Sequence, residues 1–137
     1  MPVTAGSIVT PQTPTSRTAV VTTAEVAFSA PTNVVTLLLA ADNVNGFRGT
    51  RLIAIPRATI GTANNIQLYE YTGTTYTLID SVLMATVTPG ASVANTETDF
   101  GYSEDLPLLV RSGYGLAVAC GLSVANGITC KLEGGLY

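Results

Sequence analysis

Threonine is the residue that most constrains what this chain can fold into, because it occupies 21 of the 137 positions while only 11% of the residues are charged. Branching at Cβ makes Thr and Val stiff in a helix and suits them to the pleated surface of a sheet. No helical periodicity runs through the sequence, and its apolar stretches are short and end at turn residues. The sequence therefore predicts an all-β fold.

Turn signals divide the chain into about seven or eight strands, which predicts a single β-sandwich or jelly-roll-like domain. The clearest hairpin joins 66–71 to 76–81, and Asn126-Gly127 is expected to turn a last hairpin. The full set of expected strands is 18–28, 34–41, 51–59, 66–71, 76–81, 106–110, 115–122 and 128–132.

Some segments of this domain have features that predict their position or local structure. The apolar run 34–41 is typical of a central strand covered on both faces, and Pro56 indicates an edge position or a bulge. Residues 82–87 fit either a helical turn or the end of a strand. The longest irregular stretch is 88–105, whose acids match no calcium-loop spacing and are expected to be solvated or to face an arginine of a neighbouring chain. These acids are Glu97, Asp99, Glu104 and Asp105.

The first 17 residues differ from the rest of the chain. Pro11 and Pro14 lie three positions apart among Thr and Ser, which disfavours a helix and favours an extended chain. We therefore expect residues 1–17 to form an N-terminal arm outside a β-domain that spans 18–137. Such an arm is either a disordered tail or a segment that orders on a neighbour, for example by adding a strand to an exposed sheet edge.

The chain contains no histidine, which removes the commonest general acid–base and the commonest metal ligand. It also contains no nucleophile elbow, phosphate loop or dinucleotide fingerprint. We therefore expect no catalytic residue, no metal and no cofactor, and a protein that is not an enzyme. Cys120 and Cys130 flank the predicted last hairpin. A two-residue turn there keeps them apart as reduced core thiols, whereas a longer loop centred on Ala125 would bring them opposite each other.

Net charge and hydropathy bear on the partners. A net charge of −3 disfavours nucleic acid, and no apolar run approaches the ~18 residues of a membrane helix. The N-terminus has neither the basic nor the apolar region of a signal peptide, so we expect none. The hydrophobic content is 47% and the mean hydropathy is +0.40, which predicts subunit interfaces. A monomer with a large core is the alternative.

Two groups of side chains are candidate contact residues. Arg51 and Arg57 share a strand face by alternation, which we interpret as a solvated or interface face and not as a phosphate site. Tyr69 and Tyr71 also share a face, and two tyrosines side by side suit a half-buried surface or an interface.

Several stretches resemble one family. Ala30-Pro31-Thr32-Asn33 precedes an apolar strand, and Gly115-Leu116-Ala117-Val118-Ala119 precedes the end of the sequence. Between them stand GTRLIAIPRAT at 49–59, QLY at 67–69, LIDS at 78–81, DFGYS at 99–103 and PL at 107–108. Over about residues 30–137 the chain resembles the small head decoration, or cement, proteins encoded near the capsid genes of tailed bacteriophages and prophages.

The resemblance implies a virion structural protein, made in the cytoplasm of a host bacterium, that binds the outer surface of an assembled capsid. It implies a homotrimer that bridges subunits of the major capsid protein, with an extended arm and no catalytic residues. The residues then expected to contact the capsid are Val3, Ile8, Val9, Pro11, Pro14, Arg17, Arg51 and Arg57. The residues then expected at the contact between copies are Tyr69, Tyr71, Leu136 and Tyr137.

Two other functions fit the same sequence. A virion-associated adhesin or carbohydrate-binding module would stack sugars on exposed tyrosines, although the chain has no tryptophan. A tail or connector component of the virion is the third interpretation. The tyrosines that an adhesin would use are Tyr69, Tyr71, Tyr76, Tyr102 and Tyr114.

Overall fold

A computed structural model describes residues 10–137, which form an all-β sandwich of two antiparallel sheets, as predicted. A single 3-10 turn, Ala40–Asp42, interrupts the strands of this described part. The strands are β1 (Thr13–Val21), β2 (Val35–Leu38), β3 (Phe47–Pro56), β4 (Asn64–Thr72), β5 (Thr75–Met84), β6 (Thr98–Asp99), β7 (Leu108–Val110), β8 (Gly115–Cys120) and β9 (Ile128–Leu136).

The strand order is that of a jelly roll. The first sheet has the order β1-β9-β3-β6, with β7 also paired to β3, and the second has the order β2-β8-β4-β5. Because β9 occupies one edge of β3, the short strands β6 and β7 share the other edge and act as one interrupted strand. Apart from the β4–β5 hairpin and the link between β6 and β7, every connection then passes from one sheet to the other, which is the jelly-roll arrangement.

The hydrophobic core lies between the two sheets and follows the alternation of their strands. Phe47 and Leu52 of β3 and Leu132 of β9 face Ile66 and Leu68 of the second sheet, and all five are fully buried or nearly so. The side chains that alternate with these core residues along each strand point to the outer face of the sheet. The functional surfaces of the domain are therefore these two outer faces, the sheet edges and the loops.

The predicted boundary between arm and domain falls inside strand β1. It begins at Thr13 and pairs with β9 from Thr13↔Leu136 to Val21↔Ile128, so a boundary after residue 17 cuts a strand in two. Pro14 is tolerated because β1 is an edge strand, where one side of the backbone needs no partner. Of the predicted contact residues, Val3, Ile8 and Val9 lie outside the described residues.

Two further expectations about strands are wrong, and a third is confirmed locally. The run 34–41 forms only the short edge strand β2 and then the 3-10 turn, so it is not central. Pro56, expected at an edge position or a bulge, ends β3 where the strand pairs with Ile128 of β9 but extends beyond β6, so one side of its backbone has no strand partner among the described residues. Strands β8 and β9 lie in different sheets, so Asn126-Gly127 turns a connection between sheets and not a hairpin. The β4–β5 hairpin is confirmed, and β5 extends through Met84.

Candidate functional site

The outer face of the second sheet is covered by the connection 22–34 between β1 and β2. Gln67, Tyr69 and Tyr71 point to this face because Ile66 and Leu68 of the same strand point to the core. Gln67 and Tyr69 are fully buried, and Tyr71 is only 9% exposed. Both tyrosines, predicted to lie at the contact between copies, are thus covered by residues of their own chain, and that contact stays a prediction.

A chain of hydrogen bonds holds this connection in place. The backbone N–H of Thr32 donates to Glu25 Oε1 (2.7 Å), and Gln67 Nε2 donates to the Glu25 carbonyl (3.0 Å). The Tyr69 hydroxyl donates in turn to Gln67 Oε1 (2.7 Å). Burial, and then the negative charge of Glu25, raise the pKa of Tyr69. Because buried polar groups are costly when unpaired, this network fixes the connection on the sheet.

An aromatic pair at the end of the β4–β5 hairpin packs on the same outer face of the second sheet. Tyr71 and Tyr76 stack with ring centroids 5.1 Å apart, and the Tyr71 hydroxyl accepts a hydrogen bond from the backbone N–H of Ala40 (3.2 Å). Neither Tyr69 nor Tyr71 is thus available to stack on a sugar. Sequence reasoning missed Glu25 and Gln67, and the only local signal is a glutamine placed between two core residues of a strand.

The outer face of the first sheet carries a row of ion pairs. Arg51 contacts Glu97 (3.1 Å) and Glu133 (3.7 Å), and Lys131 contacts the same Glu133 carboxylate (3.1 Å). Arg48 contacts Glu104 at 2.8 Å. Two acids of the irregular stretch, Glu97 and Glu104, therefore face arginines of their own chain. Arg51, predicted to bind the capsid, has its charge already matched within the domain.

Arg57 differs from the other cations of this chain. Arg17 contacts Asp42 (3.7 Å) and Arg111 contacts Glu70 (2.7 Å), whereas Arg57 is exposed and makes no ion pair with the residues that the structure describes. Five of the six Lys and Arg side chains are thus matched by a carboxylate. Residues 10–137 therefore present no extended basic surface to neutralise phosphates.

The chain end is tied to the start of β3. The Tyr137 backbone N–H donates to the Gly46 carbonyl (3.0 Å), and Asn45 Nδ2 donates to the Tyr137 carbonyl (3.3 Å). Leu136 and Tyr137, both predicted to contact another copy, are half-buried and remain partly accessible. Of the predicted arm contacts, Pro14 is exposed, while Pro11 and Arg17 are half-buried.

Exposed apolar side chains are numerous within residues 10–137. Eleven large hydrophobic residues there are exposed, and they occur in both sheets and in the loops. Soluble monomers tolerate such residues when they are scattered, but their concentration at one place marks a contact surface. These residues are Val26, Phe28, Leu39, Val44, Leu78, Ile79, Leu83, Val93, Leu106, Leu109 and Leu122.

Cys120 and Cys130 are both free and buried, which confirms the reduced core thiols. They lie on strands of different sheets, and both belong to the core cluster. Burial, and then the neighbouring Cys120 sulfur, raise the pKa of Cys130 to about 12, and burial raises the pKa of Cys120. Neither thiol is set up as a nucleophile, because the reactive form is the thiolate.

We predict that neither thiol of the folded protein reacts with a disulfide reagent near pH 8, because burial keeps both of them protonated and out of contact with solvent. Both should react once the protein is unfolded in denaturant. The measurement is the rate of thiol labelling with and without denaturant. A melting temperature that falls when a reductant is added would contradict the prediction, since it would reveal a disulfide.

Residues 10–137 contain no group of three or more His, Cys, Asp or Glu side chains that could hold a metal ion. No helix among these residues is long and apolar enough to cross a membrane.

Comparison with models of protein families, with curated proteins and with solved structures found no match.

Proposed function

We propose that this protein is a non-enzymatic virion component that decorates the outer surface of an assembled phage capsid and stabilises it by bridging capsid subunits. The observation that carries the proposal is that exposed large hydrophobic side chains are concentrated on one strand, with Leu78, Ile79 and Leu83 all on β5, in a domain whose charges are mostly matched internally. Such a surface suits permanent contact with other proteins better than turnover of a substrate. The resemblance to head decoration proteins supplies the identity of the partner.

The fold is compatible with this role. A jelly roll buries its core between two sheets and leaves its loops and outer faces free for contacts, and viral capsid and lectin domains both use it. Fold alone does not define function, so the surfaces must carry the argument. In this domain the connection 22–34 covers the outer face of the second sheet around Gln67 and Tyr69, and the outer face of the first sheet carries paired charges. The edges, loops, termini and the exposed part of β5 are left as contact sites.

The mechanism follows from mass action. A protein that binds only the assembled shell stabilises that shell by the free energy of binding, without any chemical step. Repetition of the site over the lattice adds avidity when one oligomer contacts several subunits. Arg57, the cation without an ion pair among the described residues, is the proposed partner for a carboxylate of the major capsid protein. Pro11, Pro14 and Arg17, near the start of β1, are proposed contacts for the same shell.

Co-sedimentation tests the proposal. Purified protein is mixed with undecorated capsids and, separately, with free capsid subunits. We expect saturable binding to shells and none to free subunits. Arg57→Gln should weaken binding to shells, and Lys131→Gln is the matched control because Lys131 is already paired with Glu133. Absence of binding to intact shells would overturn the proposed function.

A carbohydrate-binding module is the second candidate, and one groove favours it. Tyr76 lines this groove together with Ser29, Thr32, Thr74 and Thr75, so that an aromatic ring lies beside several hydroxyl groups. Aromatic faces and hydroxyl groups are what a sugar needs for stacking and hydrogen bonding. A glycan array would support this candidate if binding were lost in Tyr76→Ala and retained in Tyr114→Ala.

A further inference from the structure

The connection 22–34, which joins β1 to β2 over the outer face of the second sheet, buries a charged side chain and exposes apolar ones. Of its residues, all within the described part of the chain, Glu25 alone is buried, whereas Val26 is 76% exposed and Phe28 is 46% exposed. Burial of apolar side chains normally supplies the free energy that holds a segment on a domain, and a charged side chain is costly to bury. The connection is therefore held by polar contacts and not by burial of its own apolar side chains.

The outer part of this connection, residues 26–33, makes few polar contacts. The Thr32 N–H donates a hydrogen bond to Glu25 Oε1 at 2.7 Å, and Asn33 Nδ2 donates to the Ala24 carbonyl at 3.0 Å. Among the residues that the structure describes, no hydrogen bond joins 26–33 directly to either sheet. The outer part is therefore attached to the domain through the two residues that precede it.

Glu25 joins this outer part to the second sheet. Its backbone N–H donates to the Cys120 carbonyl (2.7 Å), its carbonyl accepts from Gln67 Nε2 (3.0 Å), and its side chain accepts from Thr32. Among residues 10–137, no lysine or arginine forms an ion pair with the Glu25 carboxylate. A buried carboxylate without a cation gains free energy when water reaches it. Opening of the outer part is thus favoured by hydration of Glu25 and opposed by loss of its hydrogen bond to Thr32.

We propose that residues 26–33 form a flap that opens while the sandwich stays folded, and that the hydrogen bond between Thr32 and Glu25 holds the flap closed. Segments with few buried apolar contacts open locally, at a lower free energy than global unfolding requires. Val26 and Phe28 are already exposed when the flap is closed, so opening transfers little apolar surface of the flap into water. Glu25 at one end of the flap and the start of β2 at the other stay in place.

Opening of the flap uncovers the outer face of the second sheet. Gln67, Tyr69 and Ala119 lie on this face, and all three are fully buried while the flap is closed. The sequence predicts Tyr69 at a contact between copies, and such a contact requires the open flap. A partner that binds this face binds only the open form, so its apparent affinity is reduced by the fraction of molecules that are open. The flap depends on the fold alone and not on the proposed capsid role, so the two are tested separately.

The test is the rate at which a thiol beneath the flap reacts with a labelling reagent, with the labelled position identified by mass spectrometry. Ala119→Cys places a thiol beside Gln67 on the covered face. Ala54→Cys is the matched control, since both alanines are fully buried in interior strands but Ala54 faces the core between the sheets. We expect the thiol at position 119 to react at least about tenfold faster, because only the thiol at position 54 needs global unfolding. Equal rates would overturn the proposal.

Variants of Glu25, each combined with Ala119→Cys, test the hydrogen bond that holds the flap. Glu25→Ala removes the acceptor of the Thr32 N–H and should raise the labelling rate about tenfold or more, which is the effect of one hydrogen bond to a charged group. Glu25→Gln keeps an oxygen acceptor in place and should leave the labelling rate close to that of Ala119→Cys alone. No rise in Glu25→Ala, or an equal rise in Glu25→Gln, would overturn the role of this hydrogen bond.

Hydrogen exchange of the unsubstituted protein is a second measurement that does not depend on the folding of any variant, while circular dichroism checks that each variant is folded. We expect the Thr32 amide to exchange at a rate that low concentrations of denaturant leave unchanged, which is typical of local opening. The amides of β4 that pair with β8 should exchange only by global unfolding and should therefore exchange faster as denaturant is added. Exchange of the Thr32 amide by global unfolding alone would overturn the proposal.

Discussion

Replacement of Gly134 by alanine is expected to unfold the domain or to bring it close to unfolding. Gly134 lies in β9 between two strands, opposite Thr15 of β1 and Gly49 of β3. A Cβ atom there would contact the Arg48 carbonyl oxygen and would lie 2.8 Å from both Gly49 Cα and a ring carbon of Phe47. Two of these three atoms are backbone, so relief requires that paired strands separate.

The expected loss in the free energy of unfolding is about 3 kcal/mol or more, because overpacking against fixed backbone is at the upper end of such costs. Urea unfolding followed by circular dichroism measures it. Gly61→Ala is the matched control, since a Cβ at Gly61 meets nothing within 4 Å and its backbone is not in the left-handed region. Similar unfolding curves for the two variants would show that β3 and β9 are not packed as described.

The parts of this fold that sequence reasoning predicts are those with local signals. Alternation assigns Ile66 and Leu68 to one face of β4 and Gln67 and Tyr69 to the other, and a turn of Gly and Thr closes the β4–β5 hairpin. Both signals depend on residues that are neighbours in the chain. The choice of sheet has no such signal, because Asn126-Gly127 turns a connection between sheets as readily as it turns a hairpin.

Sequence reasoning predicts the candidate site less well than the fold, because the contacts of the site join residues that are far apart in the chain. Alternation indicates that Tyr69 leaves the core, but a sheet face alternates in the same way whether a loop of the same chain or another subunit covers it. Here the cover is the connection that contains Glu25, which is 42 residues from Gln67 in the chain. Likewise, the partner of Arg51 is Glu97, 46 residues away, and nothing near either residue predicts the pair. Long-range contacts decided which surfaces stay free.

Deletion of residues 1–17 is expected to destabilise the domain severely, because β1 starts at Thr13. The deletion removes five of the nine residue pairs between β1 and β9, from Thr13↔Leu136 to Arg17↔Leu132, and with them the cover on that half of β9. With a net contribution of about 1 kcal/mol for each hydrogen bond, the loss is on the order of 3–5 kcal/mol. The ion pair of Arg17 with Asp42 adds little, since both side chains are well exposed.

Deletion of residues 1–9 is the matched comparison, because it keeps every pair of β1 with β9. Thermal unfolding of the two truncated proteins measures the difference, and we expect the longer deletion to melt at a clearly lower temperature. Equal melting temperatures would mean that Thr13–Arg17 do not belong to the folded sheet.

The same two truncated proteins also test whether the arm contacts the capsid. Loss of shell binding in the longer deletion is explained by damage to β1, whereas loss in the shorter deletion would assign capsid contact to Val3, Ile8 or Val9.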